Sequence, residues 1–277
     1  MKNSNSKFQN QDIVKKCKNK IIFKDCINGM NDLPSNSADV VLADPPYNLS
    51  KGGSWKWDNS VELPGMGGDW KKVMEDWDDM SFSDYWKFTT LWLSEVQRIV
   101  KPTGSIWICG TYHNIGIINT ILQLLSIEII NEVIWYKRNA FPNLSGRRFT
   151  ASHENLLWCH IGKKRDYYFD YRSVKAMEFS NDLMKKKGKQ MRTVWDIPNN
   201  KPSEETKHGK VVSQKPVALF ERILNATSKK NQVCLIPFCG SGTECIAAIR
   251  TKRNFIAFEN NKEHYNIASK RIRDELK

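Results

Sequence analysis

Two apolar runs end abruptly in turn-forming residues, and together they constrain the fold more than any other feature of the chain. Ala38-Asp39-Val40-Val41-Leu42-Ala43 runs into Asp44-Pro45-Pro46-Tyr47, and Gln232 to Ile236 runs into Pro237-Phe238-Cys239-Gly240-Ser241-Gly242-Thr243. Short continuous apolar runs suit strands buried on both faces, the habit of parallel sheets. Ile21 to Lys24 reads as a further buried strand parallel to the first, with room between them for a crossover helix. Helical spacing from Phe82 to Val100 is stopped by Lys101-Pro102-Thr103-Gly104 before a strand at Ser105 to Cys109. A helix at Ile115 to Leu125, a strand at Ile127 to Tyr136, and a closing antiparallel pair at His153 to Ile161 and Tyr167 to Tyr171 follow. The alternation resumes with a helix at Val217 to Thr227, the strand ending at Ile236, a helix at Thr243 to Arg250, a strand at Asn254 to Phe258 and a last helix. The expected architecture is α/β: a doubly wound, mostly parallel sheet with helices on both faces and ligands beyond the carboxyl ends of its strands.

One such sheet accommodates all 277 residues as a single domain. Residues 51–80, punctuated by Gly52, Gly53, Gly65, Gly67 and Gly68, read as an insertion expected to be mobile. Its Trp55, Trp57, Trp70 and Trp77 either close over a partner or pack the insertion against the core. The lysine-rich segment Arg172 to Val212 is weakly patterned and reads as a peripheral helix plus loop. Lysine and arginine number 43 against 30 aspartates and glutamates, a net charge of +13 that attracts polyanions and makes nucleic acid the first partner to consider. The same excess also fits a solvated lysine surface. No run reaches the roughly 18 to 20 apolar residues of a membrane span, and Met1 to Lys20 is polar and basic, so a cytoplasmic protein without membrane contact is expected. The 7 cysteines show no CxxC pair or His/Cys clustering, which points to reduced thiols and no metal; Cys109, Cys159 and Cys234 read as core.

Asp44-Pro45-Pro46-Tyr47 lies where such a fold binds ligands. Two prolines stiffen the turn and remove two backbone donors, leaving a carboxylate, carbonyls and an aromatic ring for a ligand. An exocyclic amine on a base has two N–H donors, which the Asp44 carboxylate and the Pro45 carbonyl can accept while Tyr47 stacks on the ring. An ordinary strand-ending turn uses the same residues. The glycine turn at 240–242 opens a helix whose N-terminus favours electronegative groups. It lacks the Gly-Lys-Ser/Thr of a P-loop and the third glycine of a dinucleotide fingerprint, so a cofactor carrying adenosine without a pyrophosphate fits better. Glu259, about 17 residues beyond the turn, stands where an acid accepts ribose hydroxyls, although it also suits a plain strand end.

The order of these two motifs resembles the β-group amino-methyltransferases of DNA, in which the catalytic motif precedes the cofactor loop. Lys24-Asp25-Cys26, Lys101-Pro102-Thr103-Gly104-Ser105-Ile106-Trp107, Pro142-Asn143-Leu144-Ser145-Gly146-Arg147-Arg148-Phe149, His153-Glu154, Ser213-Gln214-Lys215-Pro216 and Glu259 extend the resemblance over residues 20–275. It looks closest to adenine enzymes of the Hinf type and the accessory Dpn type. The resemblance implies a Rossmann-like, seven-stranded catalytic domain that transfers methyl from S-adenosylmethionine to adenine N6 in DNA, within a restriction-modification system. GATC is the preferred target over GANTC. Asp25 with Cys26 is implied at the cofactor adenine and Glu259 at the ribose. Lys215, Phe238, Gly240, Ser241, Gly242 and Thr243 are implied around the methionine end, and Asp44, Pro45, Pro46 and Tyr47 at the substrate base. Where the family has Asp before Pro-Phe, this chain has Ile236, and loss of a charge-assisted hydrogen bond there is expected to weaken cofactor binding by about 1.5 to 3 kcal/mol.

Lys137, Arg138, Asn143, Arg147 and Arg148 combine the cations that hold phosphates with the Arg and Asn chemistry that reads purine edges. Lys185, Lys186 and Lys187, with Lys189 and Arg192, form the most basic cluster inside residues 163–212, where the resemblance places target recognition. Double-stranded DNA is the expected substrate, with single-stranded DNA left open, and dimers in the resembling group make a homodimer one expected assembly. A cytosine-N4 methyltransferase uses the same amine geometry, although Ser at position 44 would have suited it better. A DNA-binding protein with impaired catalysis and a methyltransferase of RNA or protein are the other readings. His113 is assigned no role.

Overall fold

The computed structural model describes residues 12–48, 80–140, 142, 147–177, 179, 181–182, 188–199, 203–209, 211 and 214–277. The insertion at 51–79 therefore lies outside the described residues, as do Asn143 and the Lys185-Lys186-Lys187 cluster. Helix α1 (residues 12–17) leads into β1 (Lys20–Phe23), α2 (Cys26–Asn31), β2 (Ala38–Ala43), α3 (Phe82–Ile99), β3 (Val100–Gly110), α4 (Ile115–Leu124), β4 (Glu128–Tyr136) and β5 (His153–His160). Then come α5 (Tyr171–Ala176), β6 (Val194–Asp196), α6 (Ser203–Thr206), α7 (Val217–Thr227), β7 (Val233–Ile236), α8 (Thr243–Arg250), β8 (Asn254–Glu259) and α9 (Lys262–Glu275). Among the described residues no helix is long and apolar enough to cross a membrane.

The strands form one sheet in the order β1-β8-β7-β2-β3-β5-β4-β6. β2 lies parallel to β7 on one side and to β3 on the other. β5 runs antiparallel to both β3 and β4. Alternation along β2 splits the core into two layers. Val40 and Leu42 face the apolar stripes of α7, α8 and α9, while Val41 and Ala43 face α2, α3 and α4. Helix α3 follows the 3.6 period, burying Tyr85, Thr89, Trp92, Leu93, Val96 and Ile99, and Ser81 caps its first turn by accepting from the Asp84 amide at 3.1 Å.

Several expectations are corrected. Among the described residues the sheet has eight strands, not seven, because Val194–Asp196 adds a parallel strand to the outer edge of β4 and buries Trp195, within a segment read as helix plus loop. Tyr167 to Tyr171 does not pair with β5. Both edges of β5 are already occupied by β3 and β4, so the segment contributes rings instead, with Tyr167 and Phe169 at 5.2 and 5.4 Å from Trp158. β1 is an edge strand, separated from β2 by β8 and β7, and is only half-buried. Lys101 to Gly104 belongs to β3, where the register against β2 shifts between Ala38 and Val40.

Helix α2 sits tightly on β8. A Cβ added at Gly29 would lie 2.4 Å from the Phe258 ring. Gly29→Ala is expected to destabilise the protein by about 1–3 kcal/mol through overpacking, more than the roughly 1 kcal/mol that alanine returns in helix propensity. Chemical denaturation should show a lower midpoint; an unchanged or higher one would mean that Phe258 yields.

Candidate active site

Strand order brings the two sequence motifs together. Val40 pairs with Cys234 and Val41 with Leu235, so the turn after β2 and the turn after β7 emerge side by side from one edge of the sheet. Ile236 pairs with Ala257, and Phe23 with Glu259, which carries the same edge across β8 to Lys24 and Asp25. Because β5 is antiparallel, its first residues reach this edge too: Trp135 pairs with Glu154 and Gly110 with Asn155.

A cavity of about 360 Å³ opens there, lined at one end by Asp25, Cys26, Phe258 and Glu259 and at the other by Asp44, Pro45, Pro46, Tyr47 and Lys215. Phe238, Gly240, Ser241, Thr243 and Glu244 form the wall between them. The volume falls within the range of small-molecule sites. Gly242 is not on the wall; with φ at +82° it caps α8, and a Cβ there would meet Ala268 at 3.0 Å. That left-handed backbone is the reason glycine is used.

At the Asp44 end the charges form a closed cluster. Lys215 Nζ donates to both Asp44 oxygens at 3.0 and 2.8 Å and lies 3.4 Å from Glu154 Oε2. The Tyr47 hydroxyl donates to Asp44 at 2.7 Å and also lies 3.1 Å from Glu154, and Lys215 Nζ sits 4.9 Å from the centre of the Tyr47 ring. Lys137 donates to the other Glu154 oxygen at 2.9 Å. Burial alone would lower the Lys215 ammonium, but Asp44 and Glu154 hold it above its ordinary value, fully charged. Burial would raise Glu154, and Lys215 and Lys137 outweigh it, so this carboxyl sits below its ordinary value. Burial, then Asp44 and Glu154, push the Tyr47 phenol up and keep it a donor. Behind the turn, Tyr85 donates to the Pro46 carbonyl at 2.8 Å, and the buried Asn114 donates to the Tyr85 hydroxyl at 3.2 Å.

At the other end Glu259 accepts from the backbone amides of Gly240 at 2.7 Å and Asn261 at 2.8 Å, and burial raises its carboxyl. Asp25 caps α2 through the Asn28 amide at 3.0 Å. Burial, followed by the Asp25 charge, raises the Cys26 thiol, and all seven cysteines are free thiols.

The chain matches the DNA methylase family over residues 38–270, a span that includes both turns and every lining residue of the cavity named above except Asp25 and Cys26. It belongs to that family. The type II methyltransferase M.HinfI of Haemophilus influenzae is 36% identical over 260 residues, covering 92% of this chain and 68% of its own length. The type II methyltransferase M2.LlaDCHI of Lactococcus lactis subsp. cremoris is 36% identical over 253 residues, with 91% and 88% covered. Among solved structures, M1.HpyAVI in complex with SAM is 24% identical with a TM-score of 0.63, covering 91% of this chain and 98% of that one. The cytosine-N4-specific PvuII DNA methyltransferase is 16% identical with a TM-score of 0.68, covering 92% and 90%. These two share its fold.

In this DNA methylase the basic residues proposed for DNA divide. Lys137 is held inside the Glu154 cluster, with 13% of its side chain exposed. Arg138 donates to Asp196 and stays half-exposed, while Arg147 and Arg148 are exposed, Arg148 reaching the Tyr112 hydroxyl at 3.3 Å. Glu154, Tyr85, Asn114 and Glu244 carried no assigned role in the sequence. Glu154 was legible only as part of the His153-Glu154 match to the resembling family, and the other three had no distinguishing signal. Ile236 is fully buried in the core layer beneath α8 and is absent from the cavity wall.

Replacing Glu154 by Gln leaves Lys137 without its carboxylate and weakens the hold on Lys215. A loss of about 3 kcal/mol of stability is expected at pH 7. Since the native carboxyl lies below its ordinary 4.5, the wild-type advantage is fully present above that value and fades as pH falls through the lowered one. Denaturant titrations of both proteins between pH 7 and 3 should therefore converge; a gap that stays constant would deny Glu154 this charge role.

Proposed function

We propose that this DNA methylase transfers a methyl group from S-adenosylmethionine to the N6 amine of an adenine flipped out of double-stranded DNA. The observation that carries the reading is the Asp44 carboxylate on the cavity wall, beside a rigid Pro-Pro turn and an inward-facing tyrosine. A carboxylate accepts an amine N–H, and the Pro45 carbonyl supplies a second acceptor, so the pair orients the amine and holds its lone pair away from themselves. In the present arrangement Asp44 is engaged by Lys215 and Tyr47, so the arriving amine takes over hydrogen-bonding capacity that these two now use. Lys215 then remains with Glu154.

The cavity suits the cofactor chemically. Acidic Asp25 and Glu259 offer acceptors for the adenine amine and ribose hydroxyls, Phe238 and Phe258 offer apolar walls, and the turn at 240–243 leads to the Asp44 end. When bound, S-adenosylmethionine supplies an electrophilic methyl carbon. The chain's own part is positional and electrostatic: it aligns the amine, dehydrates it and anchors the acceptors. Ile236 enters here as a change in the core rather than a gap in the wall, which favours a competent enzyme over a DNA-binding protein with impaired catalysis.

Arg138, Arg147 and Arg148 follow β4 from the same edge that carries Glu154, a placement that supports contact with the DNA flanking the flipped base, with Asn143 and Lys185 to Lys187 as further candidates. Residues 163–212 are proposed for target recognition, GATC or GANTC as the site, and a cytoplasmic restriction-modification system as the setting, with a homodimer as the assembly. Cytosine N4 is the second reading, since the same acceptors suit its amine.

Purified protein incubated with methyl-labelled S-adenosylmethionine and unmethylated genomic DNA should place label on N6-methyladenine, and Asp44→Ala should reduce it about a hundredfold or more. Nucleoside analysis decides: label on N4-methylcytosine selects the second reading, and undiminished labelling by the Asp44 variant overturns the assignment of that residue.

A further inference from the structure

Glu244 stands in the first turn of α8, immediately after the glycine turn, and is 3% exposed. Its residual surface belongs to the cavity, whose wall it shares with Asp44, Lys215, Ser241 and Thr243. Apart from its own backbone amide, no described residue donates a hydrogen bond to its carboxylate. Among the described residues, the two buried cations that face it, Lys215 and Arg271, are engaged elsewhere. Lys215 bridges Asp44 and Glu154, and Arg271 donates to the Ser241 carbonyl at 2.7 Å, the Ser241 hydroxyl at 2.9 Å and the Thr243 hydroxyl at 3.2 Å. Burial first, then the Asp44 charge, raise the Glu244 carboxyl above its ordinary value, as befits an acid without a cation of its own.

Buried polar groups are nearly always paired, and a carboxylate lacking a partner on a ligand cavity wall marks a partner that arrives with the ligand. S-adenosylmethionine carries two cationic centres. The sulfonium has no N–H to give, whereas the α-ammonium has three, and only the latter can meet both the charge and the hydrogen-bonding need of a carboxylate. Resting on the cofactor assignment above, we propose that Glu244 binds the α-ammonium group of the methionine portion of the cofactor. The wall of this chain thereby holds an acid two residues past Gly242, while position 236 serves the core.

Calorimetric titration tests this with two neutral-sulfur probes that differ by one group: S-adenosylhomocysteine and its deamino analogue, with S-adenosylmethionine alongside. For the wild type, removal of the amine should weaken binding tenfold or more. Glu244→Gln should bind S-adenosylmethionine and S-adenosylhomocysteine at least tenfold more weakly, yet bind the deamino analogue as the wild type does, with unchanged melting temperature. Equal wild-type affinity for the two probes overturns the proposal, and that comparison stands even if the variant does not fold. So does a loss confined to S-adenosylmethionine, which would place the sulfonium against Glu244, or an equal loss for all three ligands. A wild-type protein that binds none of them removes the cofactor reading instead.

Discussion

A lysine buried to 1% of its side-chain surface between two carboxylates organises the Asp44 end of the cavity. Lys215 precedes α7, Asp44 follows β2 and Glu154 opens β5, so three separate elements meet at one ammonium group. An ammonium this deep persists only with matched charge and full hydrogen bonding, and removing one partner from such a cluster strands the other. Tyr47 closes the cluster by spanning both acids. The carboxylate proposed to meet the substrate amine is therefore not a free side chain at the end of a strand. It is one corner of a preorganised ion network whose remaining members can stay paired when a substrate takes Asp44.

Sheet topology is what makes that meeting achievable. Parallel pairing of β2 with β7 places a proline turn beside a glycine turn, and parallel pairing of β8 with β1 continues the edge to Glu259 and Asp25. Among the described strands the one reversal of direction, at β5, delivers an acidic amino end to an edge otherwise built from carboxyl ends. A wholly parallel sheet would have put Glu154 on the opposite side of the molecule. The core layers on either face carry the strands in register, and Ile236 belongs to one of them rather than to the site.

The strands and helices that carry the site were legible because their signals are local. The runs at Ala38–Ala43 and Val233–Ile236 and the helices at Val217–Thr227 and Thr243–Arg250 combine apolar patterning with turn chemistry at their ends. The misreadings arose where neighbours decide. Tyr167 to Tyr171 has the aromatic composition of a strand, but β5 has no vacant edge for it to join, and β6 is too short to announce itself, finding its place only through Trp195 and the outer edge of β4. Lys137 illustrates the same limit for function. In sequence it is one more cation in a basic stretch, and its burial beside Glu154 depends on a strand pairing that spans Tyr136 and His153. Glu244 had no signal of its own in the sequence, and it is the cavity that places its carboxyl on a shared wall with Asp44 and Lys215.

A crystal structure with bound S-adenosylmethionine tests the central claim most directly. The account predicts adenosine against Asp25 and Glu259, the methionine end along the turn at 240–243, and the methyl group directed toward Asp44 and Pro45. A cofactor seated outside this cavity, or one whose methyl points away from Asp44, would contradict it.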